Sequence, residues 1–269
     1  MKACLVQFEL SSSASEPFWN RIEAHVADAA RRGADLVMFP EYLGVEFGRD
    51  LIDPTDVTTT VRIAERADDY VSSARRLSQR YNIDVLAGTI PARIGDDTFN
   101  TAVYVTAGGD VHLQQKIVPI RWEQQAVGIS RGNTLRVFRT AHAAIVIATC
   151  YDLEHPELLR AAAAHGAEVI LSPSFCGYRT GVERVRVCAR AAAVSCEAYV
   201  LSAHMVGGFE SGDWSIVAGG SGAYTPIDAD FPPNGILGES PLGTPTTLMV
   251  DLDLQRLRGF RAESSVYCV

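Results

Sequence analysis

Two stretches of this chain follow one plan, GADLVMFPEYLG from Gly33 to Gly44 and GAEVILSPSFCG from Gly166 to Gly177. In each, a glycine suited to end a helix leads into an apolar run of strand character, and the run stops at a proline before a second glycine. A chain that carries this unit in both halves has to fold as two related halves around one core. The aligned positions agree in character at most places, and Glu41 opposite Ser174 is an exception. The fold needs strand and turn twice but the acid once, so Glu41 answers to chemistry rather than to folding.

Around the repeat, strand-like runs alternate with helix-like runs from end to end, the pattern of a layered α/β protein. The segments KACLVQF, ADLVMF, LRVFRT, AAIVIATC, AEVILSP, AYVLSAH and TTLMVDLD read as strands. DVLAGTIP and TAVYVTA read as two more, with ARIGDDTFN between them as a turn. PFWNRIEAHVADAARRG places Phe18, Ile22, Val26 and Ala29 at helical spacing, and an amphipathic stretch runs from about Val61 to Tyr81. HPELLRAAAAHG, with Pro156 near its start, and GVERVRVCARAAAVSCE complete the helices. The Gly-, Pro- and Ser-rich last quarter reads as irregular excursions, and the tail after Asp253 as a surface helix or a contributor to an assembly. No composition break divides the chain, so residues 1–269 are read as one domain.

The chain of 269 residues has a net charge of −8 with its acids spread along it, which gives no electrostatic reason to bind nucleic acid or an anionic membrane. Small-molecule chemistry is the expectation. No apolar run reaches the roughly 18 residues of a spanning helix. MKACLVQFEL alternates like a strand rather than reading as a secretory signal, so a cytoplasmic protein is expected. Six cysteines without a CxxC pair argue against a disulfide framework or a zinc site, and most are expected to be small buried side chains.

Three predicted strand ends carry groups that could react together: Glu41 after LVMFP, Lys116 after HLQQ and Cys150 after IVIAT. Open α/β sheets gather functional groups in the crevice at such ends. Singly, each has a duller reading as a solvated acid, a surface charge or a core thiol. Together they supply a nucleophile, a base for its proton and a cation for the oxyanion it creates. No Cys–His signature is present, GGSGAY around Ser221 is not GxSxG, and P-loop, GxGxxG and HExxH strings are missing.

The ordered set FPE at 39–41, QQKI at 114–117, CYDLEHPE at 150–157, SPS at 172–174 and GGSGAYTPID near Ser221 resembles the nitrilase, or carbon–nitrogen hydrolase, superfamily over nearly the whole chain. The resemblance implies that Glu41 is the general base, Lys116 the oxyanion lysine and Cys150 the nucleophile. It adds a second acid, Glu123 in IRWEQQ, either catalytic or an anchor for Lys116. It implies an α-β-β-α sandwich with pseudo-twofold halves and a homodimer or larger assembly; no metal or organic cofactor is expected, because Glu41, Lys116 and Cys150 already supply proton shuttle, oxyanion partner and nucleophile. Trp122, Tyr151, Ser174 and Phe175 are expected at the substrate pocket, Arg121 at its entrance, and Tyr178, Arg179 and His204 among the loop groups that set specificity. Two positions depart from the family's habit, Val118 where a His often follows the lysine and His155 before Pro156. The Tyr151–Asp152 pair stands where nitrile-cleaving members tend to have Trp–Glu, so the resemblance leans toward a small amide substrate. The alternatives are a nitrilase or N-carbamoyl hydrolase, transfer of the acyl group to an amine instead of water, and a catalytically silent binding or scaffold protein that kept the fold.

Overall fold

The computed structural model describes residues 1–11, 16–53, 55–209, 212–215 and 217–263. Its first half runs β1 (Lys2–Ser11), α1 (Phe18–Arg31), β2 (Leu36–Met38), α2 (Leu43–Phe47), α3 (Ala67–Tyr81), β3 (Asp84–Ile94), β4 (Asp97–Val105) and β5 (Val111–Gln115). The second half runs β6 (Val137–Arg139), β7 (Ala144–Ile147), α4 (Pro156–Ala164), β8 (Val169–Ser174), α5 (Arg179–Ser195), β9 (Tyr199–Gly208), β10 (Gly222–Tyr224) and β11 (Ile236–Glu239). β12 (Thr246–Asp251) and α6 (Leu254–Glu263) close the chain.

The predicted duplication is visible strand by strand. β1, β2 and β3 are parallel neighbours, and so are β7, β8 and β9. Each trio continues through two antiparallel strands, β4 and β5 in one half, β10 and β11 in the other. Each is also flanked on its far side by an antiparallel strand, β12 against β1 and β6 against β7. Even the polar anchors match. Asp35 accepts the Lys2 N–H at 2.7 Å, and its counterpart in the repeat, Glu168, accepts the Ala144 N–H at 2.8 Å. Parallel pairing of Phe8–Ser11 with Met205–Gly208 joins the halves.

Strand alternation then produces the layers, because successive side chains point to opposite faces. Ala3, Leu5, Leu36 and Met38 pack with Ile145, Ile147, Val169 and Leu171 in one core, sheet against sheet. The intervening residues Cys4, Val6, Val37 and Val85 face Ile22, Val26 and Ala29 of α1 and Tyr70 and Ala74 of α3. Val146, Ala148, Ile170 and Val200 face Leu159 and Ala162 of α4 and Val182, Val185 and Ala189 of α5. The result is the expected α-β-β-α order. Truncating one of the inner residues, such as Leu5 to Ala, removes contacts worth about 2–5 kcal/mol.

One local reading needs correction, and two are sharpened. The stretch from Val61 is not α-helical throughout, since residues Val57–Arg66 form a 3-10 turn that precedes α3. The β-branched run VTTTV resists the α-helix, and the Asp56 carboxylate accepts from the Thr58 N–H and hydroxyl at the turn's start. The turn expected in ARIGDDTFN is there but shorter: β3 and β4 pair until Ile94 faces Asp97, and Gly95 at φ +62° makes the two-residue reversal. The tail helix α6 docks on its own chain. Leu254 and Leu257 are buried, Phe260 meets Phe231 edge-on at 5.4 Å, and Arg258 bonds Glu168.

No helix among the described residues is long and apolar enough to cross a membrane. Cys4, Cys150, Cys176, Cys188 and Cys196 are free thiols, and Cys268 lies outside the described residues.

Candidate active site

β2 delivers Glu41. Past Met38 the Phe39 N–H still bonds the Leu86 carbonyl of β3, and Pro40 then ends the strand pairing. β3 makes room for the turn at Gly88, where φ is +62° and a Cβ would stand 2.0 Å from the Pro40 carbonyl oxygen. The β3–β4 register shifts at the same place, between Leu86 and Thr89. Thr89 Oγ1 then accepts the N–H of Tyr42, itself left-handed at φ +58°.

β5 delivers Lys116, whose N–H bonds the Asn100 carbonyl of β4. Its ammonium is 2% exposed and donates to Glu41 Oε1 at 2.8 Å and to Glu123 Oε2 at 2.6 Å. Glu123 begins a π-helical turn, Glu123–Val127. Asn100 Nδ2 bridges the two acids, 2.8 Å from Glu41 Oε1 and 3.0 Å from Glu123 Oε1.

The two carboxylates differ in how many of their acceptor positions are taken. Glu123 accepts from Tyr42 Oη and Asn100 on Oε1, and from Lys116 and the Ile120 N–H on Oε2. Those four bonds fill the four lone-pair sites of a carboxylate. Glu41 has two on Oε1 and one on Oε2, the latter from the Phe175 N–H at 2.9 Å. Among the described residues, one Glu41 acceptor position is therefore open.

Burial pushes the Glu41 pKa well up, with Lys116 opposing and the neighbouring Cys150 and Glu123 charges adding to the rise. Burial also acts against the Glu123 carboxylate, but the Lys116 ammonium and the bonds from Lys116, Tyr42 and Asn100 outweigh it and hold its pKa low. Burial likewise disfavours the Lys116 ammonium, yet Glu123 and Glu41 keep it charged.

β7 delivers Cys150. Asp152 Oδ2 accepts the Thr149 N–H at 3.0 Å at the start of a 3-10 turn, Cys150–Glu154, and Cys150 sits inside that turn at φ +48°. Left-handed backbone at a non-glycine residue costs about 1–3 kcal/mol and persists where surrounding bonds enforce it. Here they do. The Cys150 N–H donates to Ser172 Oγ at 3.2 Å, and Asp152 also accepts the Val118 N–H at 2.8 Å, tying the cysteine turn to the lysine segment. The Cys150 Sγ donates to the Phe175 carbonyl at 3.6 Å, and the neighbouring Cys176 thiol and burial hold its pKa well above the usual range. It is 8% exposed and opens on the crevice.

That crevice, about 490 Å³, has Glu41, Lys116, Glu123 and Cys150 in its lining. Trp122, Phe175 and Tyr178 line it too. Trp214 is 1% exposed and backs the wall, meeting Phe175 at 5.1 Å, Tyr42 at 5.2 Å and Trp122 at 5.5 Å.

Other expected lining residues stand elsewhere. Ser174 is buried beneath the crevice, 3.3 Å from both Ser172 Oγ and Ser202 Oγ, so it touches the site only through the serine that holds the Cys150 N–H. Tyr151 points into a neighbouring depression with Arg121 and stacks edge-on against His155 at 5.0 Å. Arg179 lies in a separate groove beside α5. His204 is fully buried on β9, where desolvation lowers its pKa to about 3.

Sequence reasoning missed Asn100, Tyr42, Cys176 and the Phe175 N–H. None carries a local signal.

The carbon–nitrogen hydrolase family model matches residues 2–262. Probable hydrolase YhcX of Bacillus subtilis (strain 168) is 31% identical over 268 residues, 99% of this chain and 52% of its own length. A chloroplastic omega-amidase of Arabidopsis thaliana is 26% identical over 65% of this chain and 49% of its own length. The chain thus spans about half the length of these two relatives. An amidase of Nesterenkonia sp. AN1 from the nitrilase superfamily superposes with a TM-score of 0.77 at 26% identity, covering 98% of this chain and 95% of that one. In a variant of that amidase, 25% identical with a TM-score of 0.77 over 98% of this chain and 94% of that one, the acetamide moiety of fluoroacetamide is covalently added at the active-site cysteine.

Proposed function

The chain belongs to the carbon–nitrogen hydrolase family, and from that premise we propose that it hydrolyses the carbon–nitrogen bond of a small amide through a thioester on Cys150. Glu41 takes the Sγ proton as the sulfur attacks the carbonyl carbon. Lys116 has spent two of its three N–H donors on Glu41 and Glu123. The third receives the oxyanion with the Tyr151 N–H, which lies in the first turn of a 3-10 helix where backbone donors lack a helical partner. Such donors contribute about 3–4 kcal/mol each. The proton then passes from Glu41 to the departing nitrogen, the C–N bond breaks, and ammonia or an amine leaves. Water gives a proton to Glu41 and attacks the thioester, the C–S bond breaks, and Glu41 returns the proton to sulfur.

One observation carries this reading: in the crevice that Cys150 also lines, Glu41 keeps an open acceptor position while Glu123 has none. An acid with every lone pair engaged positions Lys116, and an acid with one free accepts a proton. The raised pKa of Glu41 makes it a stronger base, nearer to working pH. The raised thiol pKa of Cys150 makes a base necessary, because little thiolate forms unaided.

Intact mass after quenching with a small amide tests the nucleophile. An acyl adduct is expected on the wild type and on Cys176→Ala and Cys188→Ala, and none on Cys150→Ala. Glu41→Gln is expected to keep the fold and lose about 10²- to 10⁴-fold in turnover; a loss within tenfold refutes the base assignment. The amidase neighbours and the Tyr151–Asp152 pair support an amide over a nitrile. The same reading takes the chain as one catalytic domain, supported by the extent of the family match, cytoplasmic, in keeping with the free thiols, and homo-oligomeric as the family resemblance implies.

A further inference from the structure

The crevice lining carries three carboxylates, on Glu41, Glu123 and Asp213, against the single ammonium of Lys116. Both charges nearest that ammonium are already paired with it. The space left for substrate is therefore net negative whether or not Glu41 holds a proton. No other lysine or arginine lines it among the described residues. Arg121 and Arg184 stand in the neighbouring depression, where Arg121 donates to Gln125 and Arg184 pairs with Glu154.

Asp213 sits at the rim with a defined orientation. Its Oδ2 accepts the Trp122 Nε1–H at 2.8 Å, and the next residue, Trp214, is buried against Trp122 and Phe175. Its exposed carboxylate is thus fixed at the indole edge of Trp122, and Trp122, Phe175 and Tyr178 line the same space. A carboxylate and aromatic rings lining one space attract a cation, and the carboxylate repels a second anion.

We infer that this crevice selects amides whose far end carries a positive charge, such as an ammonium or guanidinium, and rejects ω-amides of dicarboxylic acids. The inference rests on the amide-hydrolase reading of the same site. It assigns Asp213 as the specificity-determining residue, with Trp122 as its support.

Three matched five-carbon amides test it: 5-aminopentanamide, pentanamide and glutaramate, which differ in the charge of the far end. The cationic amide is expected to exceed the neutral one by about tenfold in kcat/KM, and glutaramate to fall below both. Asp213→Asn keeps an acceptor for Trp122 but removes the charge, and is expected to bring the cation-to-neutral ratio toward unity. Asp213→Lys is expected to raise glutaramate relative to 5-aminopentanamide. Turnover of all three without this order, or a ratio unmoved by Asp213→Asn, overturns the inference and leaves the hydrolase reading standing. Calorimetry on Cys150→Ala separates the two in the other direction. Tighter binding of 5-aminopentanamide than of glutaramate, with no amide turned over by the wild type, sustains the selectivity and overturns the hydrolysis. Equal or reversed binding overturns the selectivity.

Discussion

Replacing Glu123 with glutamine removes one charge and one acceptor from a group whose four bonds are all made. The amide oxygen can face Lys116 Nζ and the Ile120 N–H, formerly at 2.6 and 2.8 Å. The new NH₂ then faces Tyr42 Oη, which can rotate and accept, and Asn100 Nδ2, which cannot. One hydrogen bond to a charged group is lost outright, and the Lys116 bond loses its charge on one side. A charged hydrogen bond is worth about 1.5–3 kcal/mol, so kcat/KM is expected to fall about 10- to 100-fold as the oxyanion donor loosens. The pH profile distinguishes positioning from proton transfer. Glu41 must be ionised to act, so activity falls as pH drops through its pKa. The Glu123 charge helps to raise that pKa. Its removal lowers the Glu41 pKa, and the acid limb of kcat/KM is expected to move to lower pH while persisting. Ammonia release measured from pH 4 to 9 on both proteins checks this. An acid limb that disappears in the variant would make Glu123 the base, and one that stays in place or moves up would refute the coupling.

Cys176→Ala removes the largest contribution that raises the Cys150 pKa. The pH midpoint for alkylation of Cys150 by iodoacetamide is expected to shift downward, and an upward shift contradicts the thiol–thiol contact. Gly88→Ala places a Cβ against the Pro40 carbonyl at a left-handed position. A loss of about 2 kcal/mol or more is expected in urea unfolding, with reduced turnover because Glu41 follows Pro40; a change below about 0.5 kcal/mol shows that the turn relaxes.

Much of the fold was legible because it is written in short-range periodicity. The alternation in LVMF and VILS, the helical spacing of Ile22, Val26 and Ala29, and the glycines that end helices are each properties of adjacent residues. The duplication was legible because the halves repeat those local patterns. The 3-10 turn before α3 was not, since it depends on the Asp56 cap; the β3–β4 hairpin was legible as two strands and a turn, but not how far the pairing runs toward Gly95 and Asp96.

The site divides along the same line. Glu41, Lys116, Cys150 and Glu123 stand out in the chain as reactive residue types at strand ends or in the loop between them, so the sequence alone determined which groups are available for chemistry. What separates Glu41 from Glu123 is the number of donors each receives, and those donors arrive from 59 residues away at Asn100, 81 at Tyr42 and 134 at Phe175. Only the packed sheets bring them together. The left-handed turn at Cys150, the thiol of Cys176 behind it and the burial of His204 are decided in the same way. Hydrogen-bond saturation and desolvation depend on every group within a few ångströms, whatever its distance along the chain.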